Sequence, residues 1–334
     1  MAAKPTVPAS TGSKPGARVL DPELLAEARR VQVRADRMVT DVMAGGYSSV
    51  FRGSGIEFDE VREFAEGDDM RSVDWNVTAR TGRPFVKKFV EERELTVLFV
   101  LDVSSSMAFG TVPVGAAPRR KVAASAALFV GCVAFAAARN NDKAGLVTAG
   151  AAVERYVPAK KGRRHVLRLI REACEPPAVR TRGDLVQALA FAGAVQRRSA
   201  IVFVVSDFLF GSDDERAAFA HKLRLLGQRH DVIAVRVRDP LAGGIDRRTG
   251  EVLPPPNLGL VQFADAESGA VQEVDLGNAR VRAAVHAAWT ADRQWLLETC
   301  RRAGVDLLDV PTEGSVAEPL VRFFRMRERR GARR

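Results

Sequence analysis

The sequence predicts an α/β protein built around a parallel sheet, and three observations predict it. Residues 95–101 are an uncharged run of Leu, Val, Phe and Thr with the length and composition of a strand buried on both faces. Residues 201–205 repeat that design. Around these two runs, helical segments alternate with further short apolar segments, the order that produces parallel strands joined by helices.

Both runs end in a carboxylate. The first passes into Asp102-Val103-Ser104-Ser105-Ser106-Met107 and the second into Ser206-Asp207. In open α/β sheets ligands bind beyond the carboxyl ends of the strands. Asp102 offers a hard anionic oxygen there, and Ser104 and Ser106, two apart on an extended turn, offer hydroxyls on one side. This is half a shell for Mg²⁺ or Mn²⁺, although the same residues also make a helix cap or a polar loop. Asp207 bears on the choice. Two carboxylates brought to one crevice repel unless a cation or hydrogen-bond donors neutralise them, which favours the metal reading.

The remaining elements follow in chain order. Residues 1–20 carry Pro, Ser, Gly and Lys without an apolar core and read as a disordered lead-in, not a signal peptide. Asp21-Pro22-Glu23 starts a helix, with Leu24, Ala28, Val31, Ala35, Met38 and Val42 on one stripe and Gly45-Gly46 at its end. That stripe docks within the molecule or pairs as a short coiled coil, and intramolecular docking is the expectation. Residues 47–94 read as β-rich: a strand by alternation at 56–64, a turn at Gly67-Asp68-Asp69, and a second strand at 85–89 after Thr81-Gly82-Arg83-Pro84. The domain plan is therefore a helix and β-rich subdomain over 21–94, an α/β domain over 95–321 and a basic tail over 322–334.

Within the α/β domain, residues 122–138 are uncharged for 17 positions, the lower limit for a membrane span. About half are Ala and the run follows a strand, so a buried helix and no membrane span is the expectation. Strands at 143–149 and 152–157 flank a Gly turn, and Lys160, Lys161, Arg163, Arg164 and Arg168 then open a helix, as a solvated face or as a site for an acidic group. A helix through Gln196, the 201–208 strand, a helix over 213–228 and a strand over 231–237 come next. Residues 239–277 form a Pro- and Gly-rich insertion with a hairpin of 259–265 against 270–276. A long helix over 279–303, a strand over 305–310 and a short helix over 316–326 complete the domain.

Composition narrows the function classes. Of the formal charge of +10, residues 322–334 supply +6, with seven Arg against one Glu. The body of the chain is thus only mildly basic, and aromatics are few near the basic clusters, so nucleic acid is not the expected partner and only non-specific phosphate attraction remains. Cys132, Cys174 and Cys300 are odd in number and far apart, which fits neither a disulfide framework nor a zinc site and suits a reducing cytoplasm. No GxxxxGK[ST] phosphate loop is present. His165, His221, His230 and His286 are scattered.

One resemblance covers residues 45–210 strongly and the remainder loosely. Gly53-Ser54-Gly55-Ile56-Glu57-Phe58, Arg62, Gly67-Asp68, Arg71, Asp74-Trp75, Ala79-Arg80 and Asp102-Val103-Ser104-Ser105-Ser106-Met107 occur in the order of the bacterial family called domain of unknown function 58, which is similar to von Willebrand factor A domains. The resemblance implies a doubly wound, mostly parallel sheet and a metal-ion-dependent adhesion site. In that site a DxSxS sequence, a Thr from a separate loop and an Asp after a later strand hold the ion. Asp102, Ser104, Ser106 and Asp207 match. When Ala188-Leu189 sets the register, the Thr position falls on Gly183, and Thr181 is the nearest Thr, with Asp184 as a substitute donor. The implied role is a non-catalytic interaction module, an adaptor or co-chaperone of a MoxR-type AAA+ ATPase and its client proteins. A metal-dependent phosphohydrolase is the alternative. Asp74, Trp75 and Arg80 are expected to form a buried ion pair beside a packed aromatic ring.

Overall fold

The computed structural model describes residue 33 and residues 57–331, apart from 66–67, 71–72, 91–93, 111–120, 176–181, 247–248 and 265–268. The lead-in, the helix expected over 21–42 except for Val33, the motif at 53–56, Arg71 and Thr181 lie outside the described residues. The chain divides into two compact units, one of them Phe51–Leu95 and the other the rest.

In the smaller unit, strand β1 (Glu57–Glu63) pairs antiparallel with β2 (Phe85–Val90), with a bulge between Phe58 and Glu60. Between them lies helix α1 (Trp75–Thr81), in a segment whose sequence suggests β-structure. Asp74 explains it. Its Oδ1 accepts the N–H groups of Asn76 at 3.0 Å and Val77 at 3.4 Å, which caps the helix, and Gly82 at φ 72° closes the other end. Trp75 is 66% exposed, so the packed aromatic expected beside Asp74 is not found. The turn before the helix is held by Arg62, whose two Nη atoms donate to the two oxygens of Asp68 at 2.8 and 2.6 Å. That pair keeps the Asp68 carboxyl below the usual carboxylate range.

The larger unit carries a six-stranded sheet. Its strands are β3 (Thr96–Asp102), β4 (Lys143–Ala149), β5 (Val153–Lys160), β6 (Ile201–Ser206), β7 (Asp231–Arg238) and β10 (Asp306–Pro311), in the spatial order β10-β7-β6-β3-β4-β5. Every pairing is parallel except that of β4 with β5. From β3 the chain goes out to β4 and then returns to β6 on the other side. This is a doubly wound, mostly parallel sheet, and its switch point lies between β3 and β6.

Side chains alternate across the sheet and split its core in two. Leu98 and Val100 of β3 pack with Val202 and Val204 of β6 against helices α4 (Leu185–Val195), α5 (Asp213–Gly227) and α6 (Ala279–Ala303). On the opposite face Phe99 stacks on Phe203 at 5.7 Å, and Phe129 of α2 (Val122–Arg139) meets Phe203 edge-on at 5.6 Å. Helix α2 is long and apolar enough to cross a membrane, yet 78% of it is buried inside this domain. The basic residues Lys160, Lys161, Arg163 and Arg164 are exposed where α3 (Arg163–Cys174) begins. The insertion holds the hairpin of β8 (Leu260–Ala264) and β9 (Val271–Asp275).

The C-terminal helix differs from expectation. Helix α7 (Ala317–Gly331) runs five residues past Met326 and takes up much of the charged run that reads as a tail. Phe323 and Phe324 are buried, Arg327 lies over the Phe323 ring, and its guanidinium donates to Asp231 and Asp306 at 2.7 Å. Arg330 adds a second bond to Asp306 at 3.0 Å. These arginines fasten the helix to the N-terminal ends of β7 and β10. Replacing Arg327 by Ala takes both bonds from the half-exposed Asp231 and leaves Asp306 to Arg330, and is expected to cost ~1–2 kcal/mol of stability. Urea unfolding checks this, and a loss below about 0.5 kcal/mol, the range of ordinary surface changes, contradicts it.

Candidate metal centre

From Val97 to Leu101 strand β3 is apolar and buried because helices cover both faces of the sheet, and the next polar residue falls where the strand ends. Asp102 is nevertheless only 5% exposed and Asp207, at the end of β6, only 4%. After Asp102 the chain turns through Ser104 into a short 3₁₀ turn, Ser105–Ala108. The Ser104 N–H donates to Asp102 Oδ1 at 2.8 Å, and the hydroxyls of Ser104 and Ser106 lie 3.0 Å apart. Asp102 Oδ2 accepts the hydroxyl of Ser206 at 2.7 Å, and Ser206 Oγ in turn accepts the Phe208 N–H at 2.9 Å. Asp207 Oδ1 accepts the Leu209 N–H at 3.2 Å.

The structure thus brings Asp102, Ser104, Ser106 and Asp207 to the switch point. It adds Ser206, which reasoning from the residues alone passes over. A signal for it exists: Ser206 follows Val202 and Val204 at the period of a strand, so it shares a face with Asp102 and stands one strand away. Phe208 then adopts φ 53°, a left-handed conformation uncommon outside Gly, which turns the chain sharply after Asp207 and buries the ring against Phe219.

Electrostatically the crevice is unbalanced. Among the described residues neither Asp102 nor Asp207 has an ion-pair partner. Burial first, and the charge of Asp207 second, push the Asp102 carboxyl up to about 6, against the hydrogen bonds from Ser104 and Ser206 that favour its ionised form. The donor set fits a small hard cation. Octahedral Mg²⁺ with oxygens at about 2.1 Å has neighbouring ligands about 3 Å apart, the separation of the two Ser hydroxyls. Among the described residues no group of three or more His, Cys, Asp or Glu is assembled, so the set rests on two carboxylates and the hydroxyls.

Gly183 decides the middle of the site. A Cβ at this position would stand 2.9 Å from Asp102 Oδ1 and 3.1 Å from the Ser104 Cβ. The loop therefore lays its backbone directly on the two ligands, and a Thr there has no room without displacing them. The neighbouring Asp184 is engaged elsewhere, because its Oδ1 caps α4 by accepting the Gln187 N–H at 2.8 Å.

The polar residues continue across the sheet on the same face. Ser206 lies opposite Arg236, and Arg236 opposite Asp309, so Asp102, Ser206, Arg236 and Asp309 form one cross-strand row at the carboxyl end. Arg236 bonds Asp309 at 2.9 Å, Arg293 of α6 bonds its other oxygen at 3.0 Å, and Arg236 also holds the Gly243 carbonyl at 2.9 Å, which fixes the start of the insertion. On the rim, Phe109 and Leu209, in the loops after β3 and β6, are 38% and 49% exposed.

The family model described as "Protein of unknown function DUF58" matches residues 60–295. The uncharacterized protein Rv1480 of Mycobacterium tuberculosis is 33% identical over 315 residues, 93% of this chain and 92% of its own. The uncharacterized protein MAV169 of Mycobacterium avium is 32% identical over 178 residues, 53% of this chain and 95% of its own. Among solved structures, the conserved hypothetical protein BatB from Bacteroides thetaiotaomicron covers 70% of this chain and 99% of its own at 13% identity and TM-score 0.41. The von Willebrand factor type A protein from Catenulispora acidiphila covers 60% of this chain and 42% of its own at 16% identity and TM-score 0.31.

The raised carboxyl has a pH signature. The folded state holds the Asp102 proton more tightly than the unfolded chain does, so its contribution to stability is full below the ordinary carboxyl value of 3.8 and is lost as pH rises through about 6. In metal-free protein, Asp102→Asn is therefore expected to gain stability relative to wild type between about pH 4 and 6 and to level off above. Urea titrations at a series of pH values check it, and a difference that is flat with pH contradicts it.

Proposed function

The chain belongs to the DUF58 family, and on that footing we propose that it is a non-catalytic protein-interaction module of the cytoplasm, working through a divalent cation at the switch point. Asp102, Ser104, Ser106 and Asp207 hold Mg²⁺ or Mn²⁺, and Ser206 keeps Asp102 aimed by occupying its second oxygen. The acidic side chain of a partner protein completes the shell. The observation that carries this reading is the pair of buried carboxylates with no ion-pair partner among the described residues, set beside two hydroxyls at the spacing of an octahedral edge.

What the chain's own residues do is bind and orient. The cation, when bound, supplies a positive centre that attracts an anionic ligand. Gly183 keeps the loop close and leaves the ion short of one protein donor, so water or the partner must provide it. The exposed Phe109 and Leu209 frame the site with apolar surface, which suits a protein partner better than a small solute. The family resemblance makes a MoxR-type AAA+ ATPase the proposed partner, with this chain as adaptor or co-chaperone towards client proteins.

Binding of such an ATPase to the full chain, measured by surface plasmon resonance in Mg²⁺, tests the proposal. Asp102→Ala and EDTA treatment are each expected to weaken it at least about tenfold, the scale of one lost charged contact. Unchanged binding in both sinks the cation reading. Metal-dependent phosphoesterase turnover that vanishes in Asp102→Ala would instead favour the hydrolase.

A further inference from the structure

Arg238 closes β7 two residues beyond Arg236, on the same face and nearer the carboxyl edge of the sheet. Its Nε is buried and has no hydrogen-bond partner. Among the described residues the guanidinium makes a single long hydrogen bond, to the Ala242 carbonyl at 3.4 Å, and no carboxylate stands within ion-pair distance of it. Of the acids around it, Asp309 and Asp292 are already engaged by other arginines. Arg236 and Arg293 take the two oxygens of Asp309, and Arg216 takes Asp292 at 2.6 Å. Burial and the neighbouring Arg236 bring the Arg238 guanidinium down to about 10, while Asp207, Asp292 and Asp309 attract it through space.

Buried donors are almost always satisfied, so an unsatisfied one calls for an acceptor that arrives from outside. The charges on the edge of the sheet point to its nature. Asp102 and Asp207 make the β3–β6 side negative, and three guanidinium groups around Asp309 make the neighbouring β7–β10 side positive. A ligand that suits both halves is a cation carrying its own carboxylate.

We propose that Arg238 is the anion-recognising residue of this crevice: the carboxylate that completes the cation's shell also takes a charge-assisted hydrogen bond from Arg238, so cation and acidic partner bind cooperatively. The inference rests on the cation reading of Asp102 and Asp207. Without the carboxylate Arg238 acts in the opposite sense, because its charge attracts Asp207 and competes with the cation. With the carboxylate in place, the repulsion becomes a shared attraction to one anion.

Mn²⁺ titration of the full chain by calorimetry, in chloride and with chloride replaced by acetate at constant ionic strength, tests it with acetate as the carboxylate probe. Wild type is expected to bind Mn²⁺ about fivefold more tightly in acetate, the lower end of ordinary coupling free energies. Arg238→Gln is expected to bind Mn²⁺ about three- to tenfold more tightly than wild type in chloride, as removal of one nearby cation requires, and to show no acetate effect. Arg238→Lys keeps the charge without the fork, so it should match wild type in chloride and lose most of the acetate effect, and it carries the test if the Gln variant does not fold. An acetate effect that persists in either variant, or none in a wild type that binds Mn²⁺, overturns the proposal. Mn²⁺ bound equally well by Asp102→Ala overturns the cation reading itself, a result distinguishable from the other two.

Discussion

Two carboxylates buried at the ends of adjacent strands, with no ion-pair partner among the described residues, are the constraint from which the rest of the larger unit's site follows. A carboxylate taken out of water must be compensated by charge or by hydrogen bonds. Asp102 receives two, one from the backbone that follows it and one from the hydroxyl of Ser206 on the next strand. These orient the group but leave its charge, and the charge of Asp207, to be matched from outside. Gly183 obeys the same constraint, because the loop can approach the pair only where no side chain intervenes.

The compensation of charge then spreads sideways along the sheet. The cross-strand row from Asp102 to Asp309 places a hydroxyl, a guanidinium and a carboxylate at one level of three further strands. A buried pair such as Arg236 with Asp309 is weak evidence for stability, since desolvation offsets most of the attraction. Its use here is positional. Arg236 directs one Nη at Asp309 and the other at the Gly243 carbonyl, which ties the 239–277 insertion to the carboxyl edge where the site opens. Strand ends that would otherwise need only capping are thereby joined into one polar surface.

Much of the fold is legible in the residues, for local reasons. Apolar runs of strand length announce β3 and β6, and the Ala-rich run at 122–138 is a buried helix, as its composition suggests, because Phe99 and Phe203 need an apolar cover. Legibility ends where a residue's partner is not visible in its own stretch of chain. Asp74-Trp75 suggests a packed aromatic ring, yet Trp75 is exposed to solvent, and Asp74 also caps α1, a role that its own stretch of chain does not announce. The arginines after Met326 look like a free tail, but Asp231 and Asp306, distant in sequence, convert the segment into a docked helix.

The sequence by itself determined the strand that delivers Asp102, the hydroxyls two and four residues later, the second strand that delivers Asp207, and the absence of a fitting Thr at 183. These are properties of spacing and residue type, and spacing is unchanged when a chain folds. Only the tertiary structure decided that Ser206 clamps Asp102, that Gly183 is required by a close approach, and that Arg236 and Arg238 flank the crevice with positive charge. Those relations depend on strand register across the switch point, and register is set by the packing of two faces of a sheet, not by any one stretch of the chain.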